Sequence, residues 1–342
     1  TRSGHHAEED MELELIDDLA GPAMRSGRRA GLVVGYRAGG EEQVAGYGHT
    51  GPATPGPGTI FEIGSITKVF TGLLLADLAA HGVVGLEEPV ARYLPVPEGW
   101  EMTLGDLSSH AAGLGRNPRG TLRGWLRDRR NPFASLSAED VHEGLARTRL
   151  RRRPGQRARY SNLGAGLLGQ ALERAAGQPY ERLVRERICL PLGMPDTVVV
   201  PSAGQAARMA VGHTRRGRPV PPFELPALPG AGALRSTAAD MLRFLKANLD
   251  PAGTPLAAPL ERIQQPRQRM GRRMQVGLGW LIVRSPGPAG PLLWHNGGTN
   301  GFRSFAAVAR DRGIAVVVLS NAARSVDRLG LRLVRELSAR TG

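Results

Sequence analysis

Apolar and polar positions divide the chain into strand-like ends and a helical middle. Residues 9–24 run acidic first and basic later around Met11, Leu13, Leu15, Ile16, Leu19 and Met24. That spacing predicts an amphipathic helix aligned with its own dipole. Gly31-Leu-Val-Val-Gly-Tyr and Glu42-Gln-Val-Ala-Gly-Tyr flank Gly39-Gly40, a hairpin signal. A Gly/Pro loop at 51–58 leads into Ile60-Phe-Glu-Ile-Gly-Ser65, and Ile66 to Ala80 is apolar with helical spacing. Further helices are predicted at 103–109, 137–147, 163–176, 178–189 and 236–249. Residues 115–134 and 213–230, rich in Pro, Gly and Arg, read as irregular surface loops, the second placed to roof a cleft before Gly232. Strands return at Val276–Arg284, Pro291–Asn296, Phe302–Ala309 and Ile314–Ser320, and a last helix covers about 325–340.

The expected fold is therefore α/β (α+β), an antiparallel sheet flanked by helices and built from both termini, with an α-rich lobe inserted. As one domain of 342 residues, the α/β lobe takes about 1–65 and 270–342 and the α-rich lobe about 66–269. No apolar run reaches 18 residues, so no transmembrane segment is expected. Thr1-Arg-Ser-Gly-His-His has no signal h-region, which leaves a cytoplasmic protein or an envelope or secreted one whose leader is gone. Cys189, the single cysteine, lies in an apolar stretch and reads as a buried structural thiol.

The net charge of +14 favours polyanions. Its arginines, however, are spread along the chain, with modest clusters at Arg127–Arg130, Arg147–Arg159, Arg215–Arg218 and Arg267–Arg273. Aromatics are only 5% of residues and interleave with no nucleic-acid motif, so specific nucleic acid binding is not expected. Oligomeric state is not readable.

Lysine usage changes the picture. Lys68 and Lys246 are the only lysines among 45 Lys plus Arg. A desolvated amine can lose its proton near neutral pH, whereas a guanidinium cannot. Lys68 follows Ser65 at i+3 where a loop meets a helix, so a base faces a hydroxyl, and the helix N-terminus favours an oxyanion. Tyr160-Ser161-Asn162 precedes a second helix; the tyrosine offers a general base and Asn162 an amide for a substrate carbonyl or for the lysine, while Ser161 or Asn162 would equally serve as a plain N-cap. His295-Asn296-Gly297-Gly298 ends a strand; its glycines let a substrate approach the strand edge, the Gly298 N–H offers a second oxyanion donor, and His295 can donate to substrate or to the tyrosine.

In this order the three elements resemble the serine β-lactamase and penicillin-binding-protein superfamily: Ser-x-x-Lys, then Tyr-x-Asn, then Lys/His-x-Gly. The Tyr-x-Asn form is similar to class C β-lactamases, D-alanyl-D-alanine carboxypeptidases and esterases of the same fold. Leu107-Ser-Ser-His-Ala-Ala-Gly-Leu, Tyr160-Ser-Asn-Leu-Gly-Ala-Gly-Leu-Leu-Gly, Pro191-Leu-Gly-Met, Gly232-Ala-Leu-Arg-Ser-Thr-Ala-Ala-Asp-Met and Gly277-Leu-Gly-Trp also fit, over roughly 30–320.

The resemblance implies a serine hydrolase that forms an acyl-enzyme on Ser65 and splits an amide, β-lactam or ester bond. Lys68 and Tyr160 would share the base role, and Ser65 and Gly298 N–H groups would form the oxyanion hole. Asn162, His295, Asn296 and Gly297 would hold a small-molecule or peptide substrate. A D-peptidase or carboxylesterase is the nearest alternative, and a non-catalytic penicillin-sensing module the alternative of another class. No metal and no cofactor is expected, since no histidine pair has ligand spacing. His295 stands where class C enzymes usually carry lysine, which weakens the pull on a penicillin carboxylate. Ala111-Ala112 replaces the usual Thr-Ser. Arg303, just past the glycine run, is placed to meet a substrate carboxylate or to be one more surface arginine, the second being preferred; His110 reads as a structural residue holding the segment after it, and His81, His142 and His213 as incidental.

Overall fold

Gly39 and Gly40 take φ of 59° and 94° and fold β1 (Gly31–Ala38) onto β2 (Glu41–Gly48). Two consecutive positive φ values make the turn whose twist matches the strands it joins. The computed structural model describes residues 15–21, 24, 31–50, 53–118, 131, 133–284 and 291–340. Short strands β3 (Phe61–Glu62), β4 (Gly212–His213), β5 (Pro219–Val220) and β6 (Arg235–Ser236) lie outside the main sheet, as the pairs β3–β6 and β4–β5. The main sheet is completed by β7 (Gln268–Arg269), β8 (Met274–Val276), β9 (Leu281–Arg284), β10 (Pro291–Gly298), β11 (Arg303–Ala309) and β12 (Ile314–Ser320). Its order is β2-β1-β12-β11-β10-β9-β8-β7, antiparallel throughout. The sheet expected from both ends of the chain is thus present, with β1 paired to β12 from Leu32↔Ser320 to Arg37↔Ala315.

Helices cover both faces. Among the described residues the α-helices of five or more residues are α1 (15–21), α2 (Thr67–Ala80), α3 (Leu104–Ser108), α4 (Ala138–Ala146), α5 (Asn162–Ala176), α6 (Tyr180–Val184), α7 (Ala238–Leu249), α8 (Ala257–Gln264) and α9 (Asp327–Arg340), of which α7 packs on one face of the sheet and α1 and α9 on the other. Every residue of β12 is buried, and alternate side chains enter different cores. Ala315, Val317 and Leu319 join the large core with α7 and the α-rich lobe; Ile314, Val316 and Val318 join the smaller one with α1 and α9. A strand buried on both faces must be apolar throughout, and Ile-Ala-Val-Val-Val-Leu is. Helix α2 lies within the large core, buried from Thr67 to Leu78.

Three expectations need correction. Val276–Arg284 is not one strand: Gly277 N–H donates to the Trp280 carbonyl at 2.9 Å and Gly279 has φ 91°, so the segment turns between β8 and β9. Residues 213–230 are not simply a surface loop, because β4 and β5 begin the segment and Leu225, Ala227 and Leu228 are buried. The helix read from 178 is α6 followed by one π turn, Arg185–Cys189, with Cys189 buried as expected and its thiol pKa pushed up by that burial. Of the 9–24 helix, residues 15–21 and 24 are helical; 9–14, 22 and 23 lie outside the described residues, as do 51–52, most of the 115–134 loop and the Arg127–Arg130 cluster. No helix among the described residues is long and apolar enough to cross a membrane.

Candidate active site

Ser65 sits in a 3-10 turn, Gly64–Ile66, that runs directly into α2. Gly64 has φ 50°, and a Cβ there would come within 2.6 Å of Gly298 N. At Gly297 a Cβ would lie 1.9 Å from the Ile63 carbonyl oxygen. Only glycines permit this backbone-to-backbone approach. It seats the end of β10 against the Ser65 turn, and Ser304 Oγ fastens it by donating to the Ile63 carbonyl at 2.8 Å.

Lys68 Nζ is 3.0 Å from Ser65 Oγ and donates to the Ala231 carbonyl at 2.6 Å. The side chain is only 2% exposed. Burial drives the amine's pKa below the usual lysine value; Tyr160 opposes that fall and the Arg116 charge adds to it. Nζ also stands 5.0 Å from the centre of the Tyr160 ring, and the Arg116 guanidinium 5.3 Å from it. Tyr160 is reached through Ser161, the N-cap of α5, whose Oγ accepts the Gly164 N–H at 2.9 Å and donates to the Gly115 carbonyl at 2.7 Å.

Around these groups lies a cleft of about 620 Å³. Ser65, Tyr160, Asn162, Asn296, Gly297 and Gly298 line it. Of the residues read as touching substrate, His295 alone is not in the lining. It is fully buried, with Nδ1 2.6 Å from the Asn296 carbonyl and its ring 6.0 Å from that of Tyr160. Burial first and the Lys68 charge second push its pKa down to about 3, so it is a neutral imidazole behind the tyrosine. Asn162 does not reach Lys68; its Nδ2 donates to Asn117 Oδ1 at 2.8 Å. Asn296 Nδ2 donates to Asp327 Oδ2 at 2.9 Å, tying β10 to α9.

Arg303 is a second correction. It lines the cleft rather than the outer surface, with Nη1 donating at 2.6 Å to each of the Thr299 and Phe302 carbonyls. Burial and the nearby charge of Arg215 lower its pKa. Arg303 was singled out from sequence but read as a surface arginine; Arg116 and the Ala231 carbonyl were not picked out. An arginine in so arginine-rich a chain carries no signal, and a backbone carbonyl has no side-chain identity to read. Among the described residues lining the cleft there is no aspartate or glutamate. Nor do the described residues contain a group of three or more His, Cys, Asp or Glu placed to hold a metal.

The match to the Beta-lactamase family model runs from residue 16 to residue 339. The chain belongs to the β-lactamase family. It is a serine hydrolase, as family members are. It is 28% identical to the D-alanyl-D-alanine-carboxypeptidase/endopeptidase AmpH of Escherichia coli K12, over 91% of this chain and 84% of that one. To a β-lactamase of Pseudomonas fluorescens it is 26% identical, over 90% and 93% of the two chains. The fold is that of a class C β-lactamase structure with a TM-score of 0.84 at 20% identity, covering 96% of this chain and 95% of that one. It is also similar to a D-alanine carboxypeptidase from Burkholderia cenocepacia, with a TM-score of 0.82 at 25% identity over 96% and 99%.

Proposed function

We propose that Ser65 attacks the carbonyl of a short peptide ending in a D-amino acid, forming an acyl-enzyme that water then releases. The observation that carries this is the buried Lys68 amine, 3.0 Å from Ser65 Oγ. Its lowered pKa favours the free base, which accepts the hydroxyl proton as the Oγ–carbon bond forms. The N–H groups of Ser65 and Gly298 face the developing oxyanion, each donor of that kind being worth roughly 3 kcal/mol. Tyr160, beside Lys68, passes the proton on to the departing amine. Relatives named as carboxypeptidases support the substrate class. So does a cleft whose described lining presents two arginines and no carboxylate, since a peptide C-terminus is an anion.

The test is intact-mass analysis with benzylpenicillin, followed by hydrolysis of a peptide ending in D-alanyl-D-alanine. An adduct confined to Ser65, with release of D-alanine, is expected. Rapid loss of the drug without peptide cleavage would turn the assignment to β-lactam hydrolysis. No adduct and no product would overturn it.

A further inference from the structure

The wall of the cleft opposite β10 depends on a buried charged pair that lies outside the catalytic groups. Glu62 and Arg235 are register partners in the β3–β6 ladder and are 3% and 7% exposed. Glu62 Oε1 accepts the Phe223 N–H at 2.7 Å, and Arg235 Nη2 donates to the Phe223 carbonyl at 3.2 Å. One residue of the 213–230 segment is thereby gripped at both of its peptide groups by side chains of opposite charge. Arg235 also donates to the Val199 carbonyl, so it cannot swing away without breaking a second contact. Glu62 lies just upstream of Ser65 in sequence, so the same short strand leads to the nucleophile and anchors this wall.

Phe223 lines the cleft and meets Phe133 edge-on, with ring centres 6.2 Å apart at 71°. Asn131 bridges the two, donating to the Glu224 carbonyl at 2.9 Å and accepting the Phe133 N–H at 3.3 Å. Behind Phe223 and Leu225 is a second cavity of about 390 Å³, lined among others by Tyr180, Val199, Pro226 and Pro229. Phe223 and Leu225 border both cavities, so this stretch of chain is a partition with space on each side. Leu225 belongs to the main core and Phe223 packs against it, but with open volume on the far side that packing is one-sided, so the position of Phe223 also depends on its anchors.

We infer that Glu62 and Arg235 are positioning residues for substrate size: by fixing Phe223 they set how large an apolar group the cleft accepts, and the cavity behind Phe223 is the volume opened when that grip is lost. The inference rests on Ser65 being the acylated residue.

The experiment compares p-nitrophenyl acetate and octanoate on the full chain, with amide exchange over 221–229 as a measure independent of turnover. Phe223→Ala is expected to raise the octanoate-to-acetate ratio of kcat/KM at least tenfold. Glu62→Gln keeps the shape and removes the charge. It is expected to raise that ratio at least threefold and speed Phe223 amide exchange at least tenfold. A merely structural role would lower both esters alike. A parent-like ratio in Phe223→Ala, or parent-like ratio and exchange in Glu62→Gln, would overturn the inference. If the parent protein hydrolyses neither ester, Ser65 stands or falls by the benzylpenicillin adduct, and the Glu62→Gln exchange alone decides whether the grip exists.

Discussion

His110 lies ring against ring with Tyr160, centres 4.6 Å apart, and grips the backbone on both sides of it. Its carbonyl accepts the Arg159 N–H at 2.8 Å and its Nδ1 the Ser161 N–H at 3.4 Å. To do so it adopts φ 60°, the one positive φ at a non-glycine among the described residues. His110→Ala is expected to lose about 2–4 kcal/mol, the sum of a cavity, a lost acceptor and left-handed strain. His110→Asn, which tolerates that backbone and keeps an acceptor, should recover about 1 kcal/mol. Urea midpoints rank the two; equal midpoints would refute the grip.

The pH dependence of acylation follows from Lys68. Its free base is the competent form, so kcat/KM rises as pH passes upward through a pKa that burial holds below the ordinary lysine value. Arg116 contributes to that depression, so Arg116→Ala should move the rising limb to higher pH. A limb that stays in place, or moves down, would separate Arg116 from Lys68. Ser65→Ala should abolish turnover with the fold retained.

Arg303→Gln should weaken recognition of a terminal carboxylate. The ratio of kcat/KM for a free-acid peptide to that for its C-terminal amide is expected to fall about ten- to a hundredfold. A constant ratio would return Arg303 to a purely structural role.

His295 makes the fold sensitive to acid. Its native pKa is about 3, against about 6.5 when unfolded. Between those values the unfolded chain binds a proton that the native one refuses, so stability falls as pH drops through that window. The limiting slope is about 1.4 kcal/mol per pH unit for each such histidine, and His110, held well below its ordinary value by burial, adds to it. Glu62, Glu173 and Asp240, raised by burial, act with the opposite sign, so the comparison must be between parent and variant. His295→Asn should flatten the parent's slope from pH 6 to 4 by about that amount.

Gly297→Ala places a methyl group against the Ile63 carbonyl and Ser304 Oγ. A cost of about 3 kcal/mol in stability is expected, with a larger proportional loss of kcat/KM because the Gly298 N–H is displaced. Thermal melts and ester kinetics on one preparation check both.

Sequence pattern located the long strands and most of the long helices because burial alone decides them; it missed α8 and the short strands β4 to β7, whose runs are brief and mixed. β12 is apolar on both faces up to Ser320, and α2 is buried on nearly every side with a mostly apolar sequence. It erred where conformation depends on a contact. Gly277 and Gly279 break a strand by closing a turn, which an apolar run does not reveal. Ser65, Lys68 and Tyr160 were legible because their chemistry is local or unusual in this composition, a lysine among arginines above all. His295 was placed on the right strand, and of its two readings, substrate or tyrosine, the burial behind Tyr160 was not legible, since alternation gives the face of a strand and not what packs upon it. Arg303, the Ala231 carbonyl and the grip on Phe223 are tertiary relations with no sequence period.

Among the strands of the main sheet, β12 is the last to leave the ribosome, yet it lies between β1 and β11. The β1–β2 hairpin must therefore wait, one apolar edge unpaired, while more than two hundred further residues are synthesised. Pairings so distant along the chain close slowly, and an open edge invites association with other chains in the meantime. The Gly298 end of the site is made more than two hundred residues after Ser65 and Lys68. Until then no β10 backbone lies against the Ser65 turn.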